Sequence, residues 1–188
     1  MAEQTILIIR HAEKPEPHGD GGIDASGSPD RRSLTPRGWQ RAGAWTELFA
    51  PSLGRQPALP KPAAIFASAP ETHPTADDGS KSRRPLETVT PVAAKLGIQI
   101  DVRFTKGRES DLAKALSTVG GVVLVCWQHE DIVAIAKALA PDVKTIPDAW
   151  PGDRFNVIFR FDRPDSASPW AFQQVAPVML KGDKAGPI

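Results

Sequence analysis

Three short segments hold the side chains that could do chemistry. Arg10-His11 follows the apolar run Thr5-Ile6-Leu7-Ile8-Ile9, and Gln128-His129 follows Val122-Val123-Leu124-Val125-Cys126-Trp127. Arg83-Arg84 stands before Pro85-Leu86-Glu87-Thr88. Guanidinium groups pair with oxyanions through a rigid fork of donors, and the start of a helix adds backbone donors. Two arginines and two histidines around one cavity would satisfy the terminal oxygens of a phosphoryl group and the charge it spreads in its transition state. A neutral imidazole can attack phosphorus in line, and neighbouring arginines keep it neutral by disfavouring the imidazolium. A carboxylic acid must then protonate the leaving alkoxide, with Glu109, Glu130 and Glu13 as candidates.

The elements that position these groups follow from hydrophobic pattern. Continuous β-branched runs read as strands buried on both faces, and in open α/β sheets the crevice at the carboxyl ends of the strands is where ligands bind. Strand runs are expected at 5–10, 63–67, 98–102, 121–126, 155–161 and 170–175. The first helix opens at Thr35-Pro36, an N-cap followed by proline at the first helical position, and stops at Pro51. A second covers 85–96, where Pro91 predicts a kink or a late start. The third and fourth, 109–118 and 130–140, repeat apolar residues at helical spacing. Pro15–Ser33 and Pro70–Arg83 read as long polar loops over the strand ends. Phe155, Val157, Phe159 and Phe161 alternate as in a hairpin strand at the edge of the sheet, where a second subunit could pair. Trp150-Pro151-Gly152-Asp153-Arg154 reads as a plain turn before that hairpin, the alternative being a lining of the pocket mouth.

With 188 residues and a net charge of +1, the chain fits one α/β domain and lacks the basic excess of a nucleic-acid binder. The lone Cys126 sits in an apolar strand and reads as a small hydrophobe. No stretch approaches the ~20 apolar residues of a membrane span. The N-terminus lacks the pattern of a signal peptide, so a cytoplasmic location is expected. Trp39, Trp45, Trp127, Trp150 and Trp170 read as packing residues, and His18 and His73 as surface residues.

At this point the motifs resemble the histidine phosphatase superfamily, also called phosphoglycerate mutase-like. Arg10-His11 is similar to its Arg-His dipeptide, and Leu34-Thr35-Pro36-Arg37-Gly38-Trp39-Gln40-Arg41-Ala42 to its Leu-Thr-x-x-Gly-x-x-Gln-Ala motif. Ser68 with Arg84-Pro85-Leu86-Glu87-Thr88 resembles its Ser…Arg-Ala-x-Gln-Thr segment, and the strand ending at His129 its His-Gly strand. Ala12-Glu13-Lys14-Pro15 resembles a small bacterial-type subgroup. The resemblance implies a three-layer sandwich with a mostly parallel central sheet flanked by helices, in a single domain over 1–188. His11 is then the phosphorylated nucleophile, Arg10, Arg84 and His129 hold the phosphoryl group, Glu109 donates the proton with Glu130 as the alternative, and Lys14 adds a cation at the rim. Two departures stand out: thirteen residues, Glu71 to Arg83, lie between the Ser68 region and Arg84, and Glu130 stands where smaller members carry glycine.

The expected activity is metal- and cofactor-independent hydrolysis of phosphomonoesters, on small molecules or proteins, through a phosphohistidine. Its rival is a module that binds phosphate or phosphoprotein without turnover. A zinc hydrolase using His11, His18, His73 and His129 is disfavoured because no pair has the usual ligand spacing.

Overall fold

The computed structural model describes residues 3–71, 73 and 79–188. Six strands and four helices follow one another in the order β1 (Gln4–Arg10), α1 (Pro36–Phe49), β2 (Ala64–Ala67), α2 (Arg84–Leu96), β3 (Ile100–Asp101), α3 (Glu109–Leu116), β4 (Gly121–Trp127), α4 (His129–Leu139), β5 (Ile158–Arg163) and β6 (Ala171–Val175). The strands form one sheet in the order β3-β2-β4-β1-β5-β6, parallel from β3 to β1 and antiparallel at β5 and β6.

Period-two alternation divides the central strands between two cores. Ile6, Ile8, Val123 and Val125 face α3 and α4 through Leu112, Leu116, Ile132 and Ile135. Leu7, Ile9, Leu124 and Cys126 face α1 and α2 through Trp45, Phe49, Val89 and Val92. The result is the expected three-layer sandwich. β1 and β4 pair in register, so that Arg10 lies opposite Trp127 and both chains leave the sheet at one level. The connection from β1 crosses to the α1/α2 face and that from β4 to the α3/α4 face, which opens a crevice between their ends.

Local chemistry accounts for the helix ends. Thr35 Oγ1 accepts from the Gly38 amide at 3.1 Å and Pro36 opens α1. α2 ends on Gly97 at φ 67°, a left-handed cap that glycine adopts without steric cost. α2 starts at Arg84 and runs through Pro91, so the late start that Pro91 allowed does not occur. The early start is stabilised by Pro85 near the N-terminus and by Thr88 Oγ1, which donates to the Arg84 carbonyl at 2.7 Å.

Two further expectations are corrected. The strand predicted at 155–161 begins at Ile158; its hairpin with β6 lies at one side of the sheet, as expected, but the strand itself is no edge, because β1 pairs with one side of it and β6 with the other. The edges are β6 and the two-residue β3. Aromatic contacts knit the hairpin, with Phe159 and Phe161 lying 5.2 Å and 5.0 Å from Phe172. Trp45, Trp127 and Trp150 are buried, as packing residues should be. Cys126 is also buried, and burial pushes its thiol pKa up. Among the described residues, no helix is long and apolar enough to cross a membrane.

Candidate active site

Arg10 is the last residue of β1 and is fully buried. Its Nη1 donates to the Gly152 carbonyl at 2.5 Å, with the Arg154 carbonyl at 3.5 Å, while its guanidinium carbon lies 3.9 Å from the centre of the Phe155 ring. Its Nε and Nη2 are buried and have no hydrogen-bond partner among the described residues. An arginine so placed offers one edge of its fork to an acceptor that none of the described residues supplies. Burial draws its pKa down to about 10, which leaves it cationic at neutral pH.

His11 is buried, and its amide donates to the Trp127 carbonyl at 3.0 Å, which locks the end of β1 to β4. Its Nδ1 lies 2.7 Å from the Ala12 carbonyl. A carbonyl only accepts, so Nδ1 carries the hydrogen and Nε2 keeps its lone pair. The pKa is driven well below the usual histidine value, first by burial and then by Arg10, Arg84 and His129, which outweigh the opposing Ala12 bond. The same cations that would hold an oxyanion therefore keep the imidazole neutral.

Arg84 and His129 come from the two opposite helices. Ala12 N donates to Thr88 Oγ1 at 2.9 Å, and this bond ties the first turn of α2 to the residue after His11. Arg84 is half-buried, its Nε is unpartnered, and burial lowers its pKa. Arg83 is different, since its half-exposed side chain lies 3.7 Å from both Asp30 and Glu87. His129 opens α4, and a methyl group built on Gly152 would stand 3.8 Å from its Nε2. Gly152 thus accepts from Arg10 and leaves open the space beside His129 that a side chain would enter. Burial first, and Arg10 second, lower the pKa of His129.

The two candidate acids occupy different places. Glu130 Oε2 lies 3.0 Å from His129 Nδ1 without the alignment of a hydrogen bond, and Glu130 acts electrostatically on both Arg10 and Arg84. Burial raises its pKa, but its own backbone amide, His129, Lys106 and Arg10 outweigh that and hold it below the usual carboxylate value. Glu109 accepts from Trp127 Nε1 at 2.9 Å and from the Gly107 amide at 3.0 Å. Glu13 is committed elsewhere, at 2.7 Å from Arg41 and 3.2 Å from Arg37. Lys14 is half-exposed, 3.8 Å from Glu16 and close enough to lower the His129 pKa.

Ser68 is buried against Gln128, whose Nε2 donates to its hydroxyl at 3.0 Å. His18 and His73 are exposed. Residues 72 and 74–78 of the second predicted loop lie outside the described residues. Among those described, no group of three or more His, Cys, Asp or Glu residues is placed to hold a metal ion. Segment 150–154 is a turn, as expected, closed by the Arg154 amide donating to the Pro151 carbonyl at 3.2 Å, and it also borders the site, because its Gly152 and Arg154 carbonyls are the acceptors for Arg10. Lys106, which reaches His129 and Glu130 electrostatically and lies 3.3 Å from Asp131, was not evident from sequence. It follows no motif or periodic run, and only the folding of the 102–108 segment over α4 brings it there. Phe155 reads in sequence as a strand residue, and nothing in its alternation signals a ring lying against Arg10.

No protein-family model matches the chain, and no curated protein matches its sequence. Solved structures do match. The protein histidine phosphatase SixA complexed with tungstate is 12% identical with a TM-score of 0.53, over 92% of this chain and 96% of that one. A SixA chain from Agrobacterium tumefaciens is 17% identical with a TM-score of 0.47, over 92% and 98%. The former match establishes the fold: a six-stranded mixed sheet flanked by helices, as in that SixA structure.

Proposed function

We propose that the chain is a phosphatase that hydrolyses phosphomonoesters through a phosphohistidine on His11, with no metal or cofactor. The observation that carries this reading is the pair of unpartnered, buried Arg10 donors beside a neutral His11 whose only protonated nitrogen is turned to the Ala12 carbonyl. A buried cation with free donors is costly unless an anion completes it. The tungstate held by the structurally similar SixA is an anion of the same tetrahedral form.

In this mechanism Arg10 Nε and Nη2, Arg84 and His129 bind the phosphoryl oxygens. His11 Nε2 attacks phosphorus in line, an N–P bond forms and the ester P–O bond breaks. The leaving alkoxide takes a proton from Glu130, which we assign as the donor because it sits among the phosphate-binding cations, whereas the Glu109 carboxylate is bonded to Trp127 and Gly107. A phosphate dianion offsets those cations and raises the Glu130 pKa toward the protonated form. Glu130 carboxylate then takes a proton from water, whose oxygen attacks phosphorus as the N–P bond breaks.

The test is turnover of an aryl phosphate in the presence of a chelator, for the parent chain and His11→Ala, with a search for an acid-labile phosphoenzyme. Turnover that falls by several orders of magnitude in the variant, together with label on His11, is the expected result. Oxyanion binding by folded protein with no turnover of any ester would refute the enzyme and leave a phosphate- or phosphoprotein-binding module. Loss of turnover on chelation would refute metal independence.

A further inference from the structure

Residues 177–188 form no helix or strand; they are held to Arg37, Asn156, Gln174 and Asp153, and at two further points to arginines that adjoin the supports of Arg10. At the first, Asp183 accepts from Arg41 Nη1 at 3.0 Å and Nη2 at 2.7 Å, and also from the amides of Met179 at 2.9 Å and Leu180 at 3.0 Å. Arg41 is fully buried and completes its fork on Glu13. Its guanidinium carbon lies 5.8 Å from the centre of the Phe155 ring, against which Arg10 packs at 3.9 Å. At the second point, the buried Arg154 side chain donates to the carbonyls of Gly186 at 2.5 Å and of Lys184 and Pro187 at 3.3 Å. The Arg154 carbonyl faces Arg10 Nη1 and accepts from Trp150 Nε1 at 2.8 Å.

Both contacts act on the same guanidinium. Arg10 is anchored through Nη1 alone, so the direction of its free edge depends on what fixes its plane and its rotation. Phe155 fixes the plane by stacking, and the 152–154 carbonyls fix the rotation. Each support is itself held by an arginine clamped to the 177–188 segment. Oxyanion recognition by a fork is sensitive to such angles, because a bidentate pair loses one bond when the plane tilts.

We propose that segment 177–188 is a positioning strap for Arg10, acting through the Asp183–Arg41–Phe155 stack and through Arg154. Asp183, Arg41 and Phe155 are then positioning residues, which touch no substrate but set how tightly the phosphoryl group is held. The inference rests on the phosphoryl site described above. It predicts a binding defect separable from a stability defect, which a strap that merely covered the sheet would not produce.

The test is orthovanadate binding, measured well below the unfolding temperature, for Asp183→Asn, Phe155→Leu, Phe155→Trp and Arg10→Ala, with thermal unfolding of each. Asp183→Asn and Phe155→Leu are expected to weaken binding by about ten-fold or more, and Phe155→Trp, which keeps an aromatic face, to restore most of it. The two Phe155 variants carry the test if Asp183→Asn fails to fold. Parent-like affinity in Phe155→Leu, while Arg10→Ala loses binding, would overturn the strap and leave the phosphoryl site standing. Parent-like affinity in Arg10→Ala would overturn the site and the strap with it.

Discussion

Gly38 and Gly43 both lie within α1, and the same substitution at each should change stability in opposite directions. Glycine in a helix interior costs about 0.5–1 kcal/mol relative to alanine, so propensity alone favours both Gly→Ala changes. At Gly43 a Cβ meets nothing within 4 Å and the gain is unopposed. At Gly38 it would stand 2.7 Å from the Glu13 carbonyl oxygen, 3.2 Å from the Glu13 amide and 3.0 Å from Leu34 Cβ. Two of those atoms are backbone and cannot swing aside, and overpacking of this kind costs about 1–3 kcal/mol, more than the propensity returns. Gly43→Ala should raise the unfolding temperature by about 2 °C or more and leave turnover unchanged. Gly38→Ala should lower it by several degrees. Because Glu13 is two residues from His11, relief of the clash also moves the nucleophile, and a shift of tenths of an ångström should cost roughly ten-fold in turnover. Thermal unfolding and aryl phosphate hydrolysis read both effects. A Gly38→Ala protein as stable and as active as the parent would refute the claim that the close approach of α1 positions the His11 loop.

Glu130→Gln should cut turnover of alkyl phosphates by roughly 10²-fold or more while largely sparing esters with good leaving groups; Glu109→Gln should leave that ratio unchanged, and the reverse pattern would reassign the donor. The His11 pKa lies below its ordinary value, so the nucleophile stays unprotonated as the solution is acidified, and the acid limb of kcat/KM should fall below pH 6.5. An acid limb above pH 6.5 that responds to variants around His11 would contradict this. Burial alone raises the Asp183 pKa, but Arg41 and the Leu180 and Met179 amides outweigh it and bring it to about 2. A carboxylate with a depressed pKa stabilises the fold above its unfolded value of 3.8 and loses that contribution as pH falls toward 2. Parent and Asp183→Asn should therefore differ most in unfolding free energy near neutral pH and converge in acid; a constant gap across the range would refute the linkage.

Much of the site's raw material is local in the chain, and sequence alone determined it. Ile6 to Ile9 and Val122 to Trp127 are apolar runs that read as buried strands, so the polar pairs that follow them fall at the carboxyl ends of the strands. Thr35-Pro36 and Pro51 bracket α1, because capping and proline geometry involve neighbours in sequence. Pairing register and burial are not local, and tertiary structure decided what depends on them. Arg83 meets Asp30 and Glu87, whereas Arg84 keeps a buried Nε without a partner among the described residues. The place of β5 inside the sheet depends on β6 covering its far side. The neutrality of His11 depends on Arg10, Arg84, His129 and the loss of water arriving together from three elements, and the aim of Arg10 on Gly152 and Phe155, more than 140 residues away. Periodicity records only which face of an element is apolar, whereas the field at an imidazole is a sum over whatever the completed fold brings near it.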